Sequence, residues 1–173
     1  MIKSLKEYQE LAQRTCPDLG SEQLNIEHMM LGIFTEYGEL CDVYKKHLAY
    51  GRDVDFVNVQ EEFADQGWYI INLFRIKGIE IDIRQYFEFD NVRKENINFQ
   101  LIYFMKSLYT AILDDDMIYL LSSWWYLGLS LNVDIFKALT NNIDKLKIRY
   151  PDKFDEEKAL NRDLESEKKE LEK

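Results

Sequence analysis

Cysteine, proline and glycine are all scarce in this chain. Two cysteines, Cys16 and Cys41, in 173 residues cannot build a disulfide framework. With no Cys-x-x-Cys pair they do not make a structural zinc site either, and they read as reduced thiols in a cytosol. Two prolines and seven glycines are too few for a strand-rich sandwich or a collagen-like repeat, and they favour long helices. No apolar run reaches the roughly twenty residues of a membrane span. The most apolar stretch, 117–131, is interrupted by Ser122, Ser123 and Ser130 and reads as a core or amphipathic helix. Positive charge is short as well: 22 Lys and Arg against 32 Asp and Glu leave a net charge of −10. A chain with that balance and only short basic patches is not expected to grip a nucleic-acid backbone. The opening residues MIKSLKEYQELAQRT are too charged for a secretory signal, so the expected location is cytoplasmic.

What is present is an ordinary globular composition, 46% hydrophobic and 31% charged. The length suits one domain, 1–173. Ser4 with Glu7 has capping-box spacing and predicts a short helix to about residue 14, with a break at Pro17–Gly20. Ser21 restarts a helix whose apolar residues recur at three-four spacing to about residue 49. A second capping box, Asn58 with Glu61, predicts a helix over 59–77, with Gly78 in the place of a C′ glycine. The stretch 79–95 is ambiguous; IEIDI alternates and fits a short strand or an extended connector. Helical patterns return at 98–113, 115–131 and 134–149, and Pro151 ends the last. From Asp155 onward one more helix is predicted, its final part almost all charged and read as a solvated or frayed end.

Two acidic pairs carry the chemistry. Glu36 and Glu39 lie three apart on one predicted helix, and Glu62 and Asp65 lie three apart on the next. Residues at that spacing share a face, and like charges there repel. Both stretches are otherwise apolar, so these acids face partial burial and need a partner. Four carboxylates converging between antiparallel helices suit a hard divalent cation such as Mg²⁺. Spacing alone equally fits two solvent-facing acidic turns. A di-iron bundle wants Glu-x-x-His on two helices, and neither His28 nor His47 has a Glu three residues before it.

The stretch NIEHMMLGIFTEYGELCDVYKKHLAYGR, followed by EEFADQGWYIINL, resembles the MazG-like family of all-α nucleoside triphosphate pyrophosphohydrolases. Its Glu-x-x-Glu helix and Glu-x-x-Asp helix match Glu36, Glu39, Glu62 and Asp65, with Gly38, Leu40 and Trp68-Tyr69 around them. A second segment, NNIDKLKIRYPDKFDEEKALNRDLE, resembles the family's C-terminal part. The likeness covers about 11–77 and 132–165, and 80–131 reads as an inserted helical region. Thr35 and Ala64 depart from the pattern, which commonly has an acid and a glycine there.

The resemblance implies an all-α antiparallel bundle; apolar rows beyond one buried face, above all on the helix over 117–131, suggest a homodimer or homotetramer. The resemblance also implies Mg²⁺-dependent cleavage, with Mn²⁺ as substitute, of a nucleoside triphosphate to its monophosphate and pyrophosphate. Glu36, Glu39, Glu62 and Asp65 would be metal ligands, and one of Glu36 and Glu39 would orient or deprotonate the water. Lys145, Arg149 and Asn142, on one face of the matching C-terminal helix, and Lys46, two turns beyond Glu39, are candidates for the phosphates. For each of these cations a solvated basic helix edge is the competing reading. Asn72, seven beyond Asp65, either satisfies the core or reads sugar or base. His28 and Trp68 are core residues or base contacts. Narrower alternatives are a dUTPase-like or single-base pyrophosphatase; a different class is a non-catalytic helical interaction protein.

Overall fold

The computed structural model describes residues 1–81, 97–161 and 163–171, and every regular element among them is a helix. In chain order these are α1 (Leu5–Ala12, continued by one 3-10 turn, Gln13–Thr15), α2 (Glu22–Tyr50), α3 (Phe56–Ile76), α4 (Ile97–Leu113), α5 (Met117–Ser130), α6 (Ile135–Arg149), α7 (Glu156–Leu160) and α8 (Leu164–Leu171). None of the described helices is long and apolar enough to cross a membrane.

Short polar side chains start the helices. Ser4 Oγ accepts from the Glu7 N–H at 3.1 Å, although Glu7 itself reaches back to Lys3 rather than Ser4, so the box is half formed. Ser21 caps α2 and Asp134 caps α6. Asp55 caps α3 by accepting from the Asn58 N–H, so α3 starts three residues ahead of the expected Asn58–Glu61 box. Glu61 is freed from capping and is used elsewhere. Asp116 caps α5, so the helix starts at Met117, two residues after the expected 115. At the other ends Gly51 and Gly78 take φ of 63° and 66°, the left-handed conformation that stops a helix at little cost for glycine. Of the ambiguous 79–95 segment, residues 79–81 form no strand and 82–96 lie outside the described residues.

The single helix expected from Asp155 is two. α7 ends at Leu160, and α8 begins after Asp163, whose carboxylate accepts from the Ser166 N–H at 3.1 Å. Nor is α8 a solvated end throughout, because Glu167 is only 2% exposed and is paired with Arg149 of α6.

α2 and α3 form an antiparallel hairpin. Gly32 meets Tyr69, Ile33 meets Gln66, and Glu36 meets Glu62 and Asp65, so one number falls as the other rises. A Cβ at position 32 would collide with the Tyr69 ring; glycine lets the two backbones close in at the height of the carboxylates. α3 is central, and its Phe63, Ile70, Ile71, Leu73 and Phe74 are almost wholly buried. On one side α5 stacks Trp124 on Phe63 at 4.6 Å, the two rings within 7° of parallel. Each such buried aromatic contributes roughly 1.5–3 kcal/mol of transfer free energy. On the other side lie α1, through Gln9 to the Ile71 carbonyl, and α6. α4 joins α5 through Tyr119 and Ser107, and packs on α2 through Phe104 and Tyr37. One continuous core therefore runs through α1 to α6, and the helices of the 80–131 region belong to it.

Candidate functional site: a carboxylate cleft

The α2–α3 hairpin brings Glu36, Glu62 and Asp65 together, with one oxygen from each lying within 4.8 Å of the others. They sit in a cleft of about 740 Å³, within the usual range for small-molecule sites. Among the described residues seven carboxylates line it (Asp18, Glu36, Glu39, Glu61, Glu62, Asp65 and Glu156) against one guanidinium, Arg149. Burial first, then the charges of Asp65 and Glu39, push Glu36 up to about 7 and Glu62 up to about 9. Such values mean unbalanced negative charge in a partly dehydrated space. Three carboxylates on two rigid helices form an oxygen donor set suited to Mg²⁺ or Mn²⁺, and their mutual repulsion is what a divalent ion would relieve. Glu39 lines the same cleft, exposed, outside the group of three.

Asp65 is held from the far side. Lys145, with 1% of its side chain exposed, donates to Asp65 Oδ2 at 2.5 Å and to Glu61 Oε1 at 3.1 Å. Burial works against its charge, and the two carboxylates outweigh that effect. Asn142 donates from Nδ2 to Asp65 Oδ1, and its own Oδ1 accepts from the Tyr8 hydroxyl at 2.7 Å. Burial above all, with the charge on Asp65 adding, raises Tyr8 well above the ordinary phenol value. Asn142 and Lys145 thus support a carboxylate, where the sequence reading gave them to phosphate.

Arg149 does line the cleft. Its Nε and Nη2 are taken by Glu167 at 2.8 and 2.5 Å, a bidentate grip on one edge of the guanidinium. Burial opposes its charge, and the Glu167 pair more than offsets this. Another part of the cleft wall is aromatic. Trp68 donates from its indole to Thr15 Oγ1 at 3.1 Å and stands edge-on to Tyr69 at 4.9 Å; Tyr150 and Phe154 complete this part. His28 packs edge-on to Tyr69 at 5.7 Å, its pKa lowered by burial, its Nδ1 buried with no hydrogen-bond partner among the described residues.

Two candidates do not reach the cleft. Lys46 is exposed and paired with Asp42 at 2.6 Å. Asn72 is fully buried, bonding the Trp68 carbonyl and the Arg75 side chain, which is the core reading of that residue. Both lie seven residues past a carboxylate, about 10 Å along a helix axis, and that rise carries them beyond the site.

Sequence reasoning missed Glu61, which had seemed explained by capping; the carboxylate run Glu61–Glu62 was the available signal. It also missed Tyr8, Thr15 and Glu167, whose roles depend on contacts across 18 to 134 residues of chain. Comparison with family models, curated proteins and solved structures finds no match for this chain.

Proposed function

We propose that this chain is a divalent-metal-dependent pyrophosphohydrolase of nucleoside triphosphates, releasing a nucleoside monophosphate and pyrophosphate. The observation that carries the reading is the group Glu36, Glu62 and Asp65 on antiparallel helices at the wall of an acidic cleft. A cleft whose described lining has seven carboxylates and one guanidinium repels a bare triphosphate, so cations must accompany the substrate. Bound there, Mg²⁺ or Mn²⁺ would neutralise phosphate charge and make a coordinated water more acidic.

The chain's own groups take the remaining tasks. Glu36, Glu62 and Asp65 hold the ion; Lys145 and Asn142 keep Asp65 in place from behind. Glu39, exposed in the cleft and outside the group of three, takes the proton of the attacking water. That water adds to one phosphorus of the α,β bridge, the P–O bond of the bridge breaks, and the oxygen departs with the other phosphate group. Arg149, gripped on one edge by Glu167, offers its other edge to the phosphate oxygens. The aromatic wall takes the nucleoside. The Nδ1 of His28, unpaired among the described residues, favours a second, narrower reading in which this wall selects one base.

The test is a pyrophosphate-release panel over the standard ribo- and deoxynucleoside triphosphates and dUTP, with Mg²⁺ or Mn²⁺ and an EDTA control. Metal-dependent release with the matching monophosphate is expected, and one dominant substrate would favour the narrower reading. Folded, metal-loaded protein that releases nothing from any member overturns the proposal.

A further inference from the structure

We infer that Tyr8 is a positioning residue for Asp65, and through it for the divalent-ion site; the inference rests on the metal-site reading above. Tyr8 lies on α1, ahead of the segments that carry the family resemblance, and no feature of the sequence marks it. Its side chain is fully buried, and its hydroxyl donates to Asn142 Oδ1 at 2.7 Å. With that oxygen committed, the Asn142 carboxamide has only its NH₂ to turn toward α3, and Nδ2 donates to Asp65 Oδ1. Asn142 is 1% exposed, so water has little access to supply an alternative partner.

The chain Tyr8–Asn142–Asp65 does what Lys145 cannot do alone. An ammonium is a point charge with three rotatable donors, and it sets no plane. Lys145 is in addition shared between Asp65 and Glu61. The amide donor is directional. Together the two donors engage one oxygen each and fix the rotation of the Asp65 carboxylate, leaving a lone pair on each oxygen for an ion shared with Glu36 and Glu62. Outer partners of this kind typically set ten- to a hundredfold in metal affinity. Without the Tyr8 hydroxyl, Asn142 Oδ1 is left buried without a donor, and its carboxamide loses the partner that orients it.

The test is a Mn²⁺ titration of the whole chain, free Mn²⁺ being read by electron paramagnetic resonance, in the cold so that a weakened variant stays folded. Tyr8→Phe is expected to weaken Mn²⁺ binding at least about tenfold. Leu5→Val, which loosens the same helix at a fully buried apolar position, is expected to bind like wild type. In an Asn142→Ala background, which alone weakens binding, Tyr8→Phe is expected to change nothing further. Binding by Tyr8→Phe equal to wild type overturns the inference while leaving the metal site standing. So does an equal loss in Leu5→Val, or an undiminished effect of Tyr8→Phe without Asn142. Wild-type protein that takes up no Mn²⁺ overturns the metal-site reading and this inference with it.

Discussion

Lys145 is an ammonium buried to 1% exposure, and only its carboxylate partners justify its position. Replacing it by methionine keeps the volume and leaves Asp65 and Glu61 without their cation. Breaking a buried pair in this way costs ~3–5 kcal/mol. Both carboxylates retain some contact with water, 23% and 22% exposed, which places the expectation at the lower end. For a chain of this size ~3 kcal/mol lowers the melting temperature by roughly 6–12 °C. Thermal melts of Lys145→Met should show that loss in EDTA and a partial recovery in Mg²⁺, since a bound ion compensates Asp65. Glu62→Gln should behave oppositely. At neutral pH in EDTA the melting temperature should stay close to wild type or rise, because Glu62 already holds its proton there. Its Mg²⁺-dependent gain should vanish, and turnover should fall at least about a hundredfold. The acidic residues were legible because repelling pairs at helical spacing on apolar stretches need an explanation. The supporting residues were not. Asn142 and Lys145 were found by family pattern, but nothing local says that they face Asp65 rather than a phosphate.

At the scale of elements, the α2–α3 crossing is what sets the site, and Gly32 sets the crossing. Alanine there drives a methyl into the Tyr69 ring. Such overpacking costs ~1–3 kcal/mol, and relief by separating the helices draws Glu36 away from Glu62 and Asp65. Gly32→Ala is therefore expected to lose Mn²⁺ affinity along with stability, whereas Gly67→Ala, which meets Trp124 at 2.5 Å on the face toward α5, should lose stability alone. Melting curves and Mn²⁺ titration of the two variants distinguish these outcomes. Helix existence was readable from periodicity and caps for α1 to α6, and Gly78 stops α3 as expected, whereas α7 and α8 were read as one helix. Boundaries failed where two caps competed, as Asp55 did with Asn58. The tail was misread because charge pattern alone describes α8 as solvated, and its buried member, Glu167, is explained only by Arg149 across a turn of chain. Removing that carboxylate in Glu167→Ala should raise KM for the triphosphate several-fold with kcat largely kept, since Arg149 loses orientation and not its place.

For the whole molecule, the site should make stability depend on pH in an unusual direction. Glu36 titrates near 7 and Glu62 near 9 in the folded chain, against an ordinary value of 4.5. Between 4.5 and 9 the native state therefore keeps protons that the unfolded chain releases, and stability falls as pH rises. His28 opposes this: its lowered pKa means that the unfolded chain binds more protons, but only below its ordinary value of 6.5. The lowered carboxylates Asp18, Asp42 and Asp163 act below 3.8 and leave the window untouched. The melting temperature in EDTA should accordingly decline from about pH 6.5 to about pH 8.5. A bound Mg²⁺ takes the place of the protons, so the gain on adding it should be small at the acid end and grow toward the alkaline end. Glu62→Gln should flatten the decline above neutrality, and Glu36→Gln the part below it. A metal-free melting temperature that stays level or rises across that range would mean that these carboxylates are not forced together in solution, and that the cleft is an ordinary acidic surface.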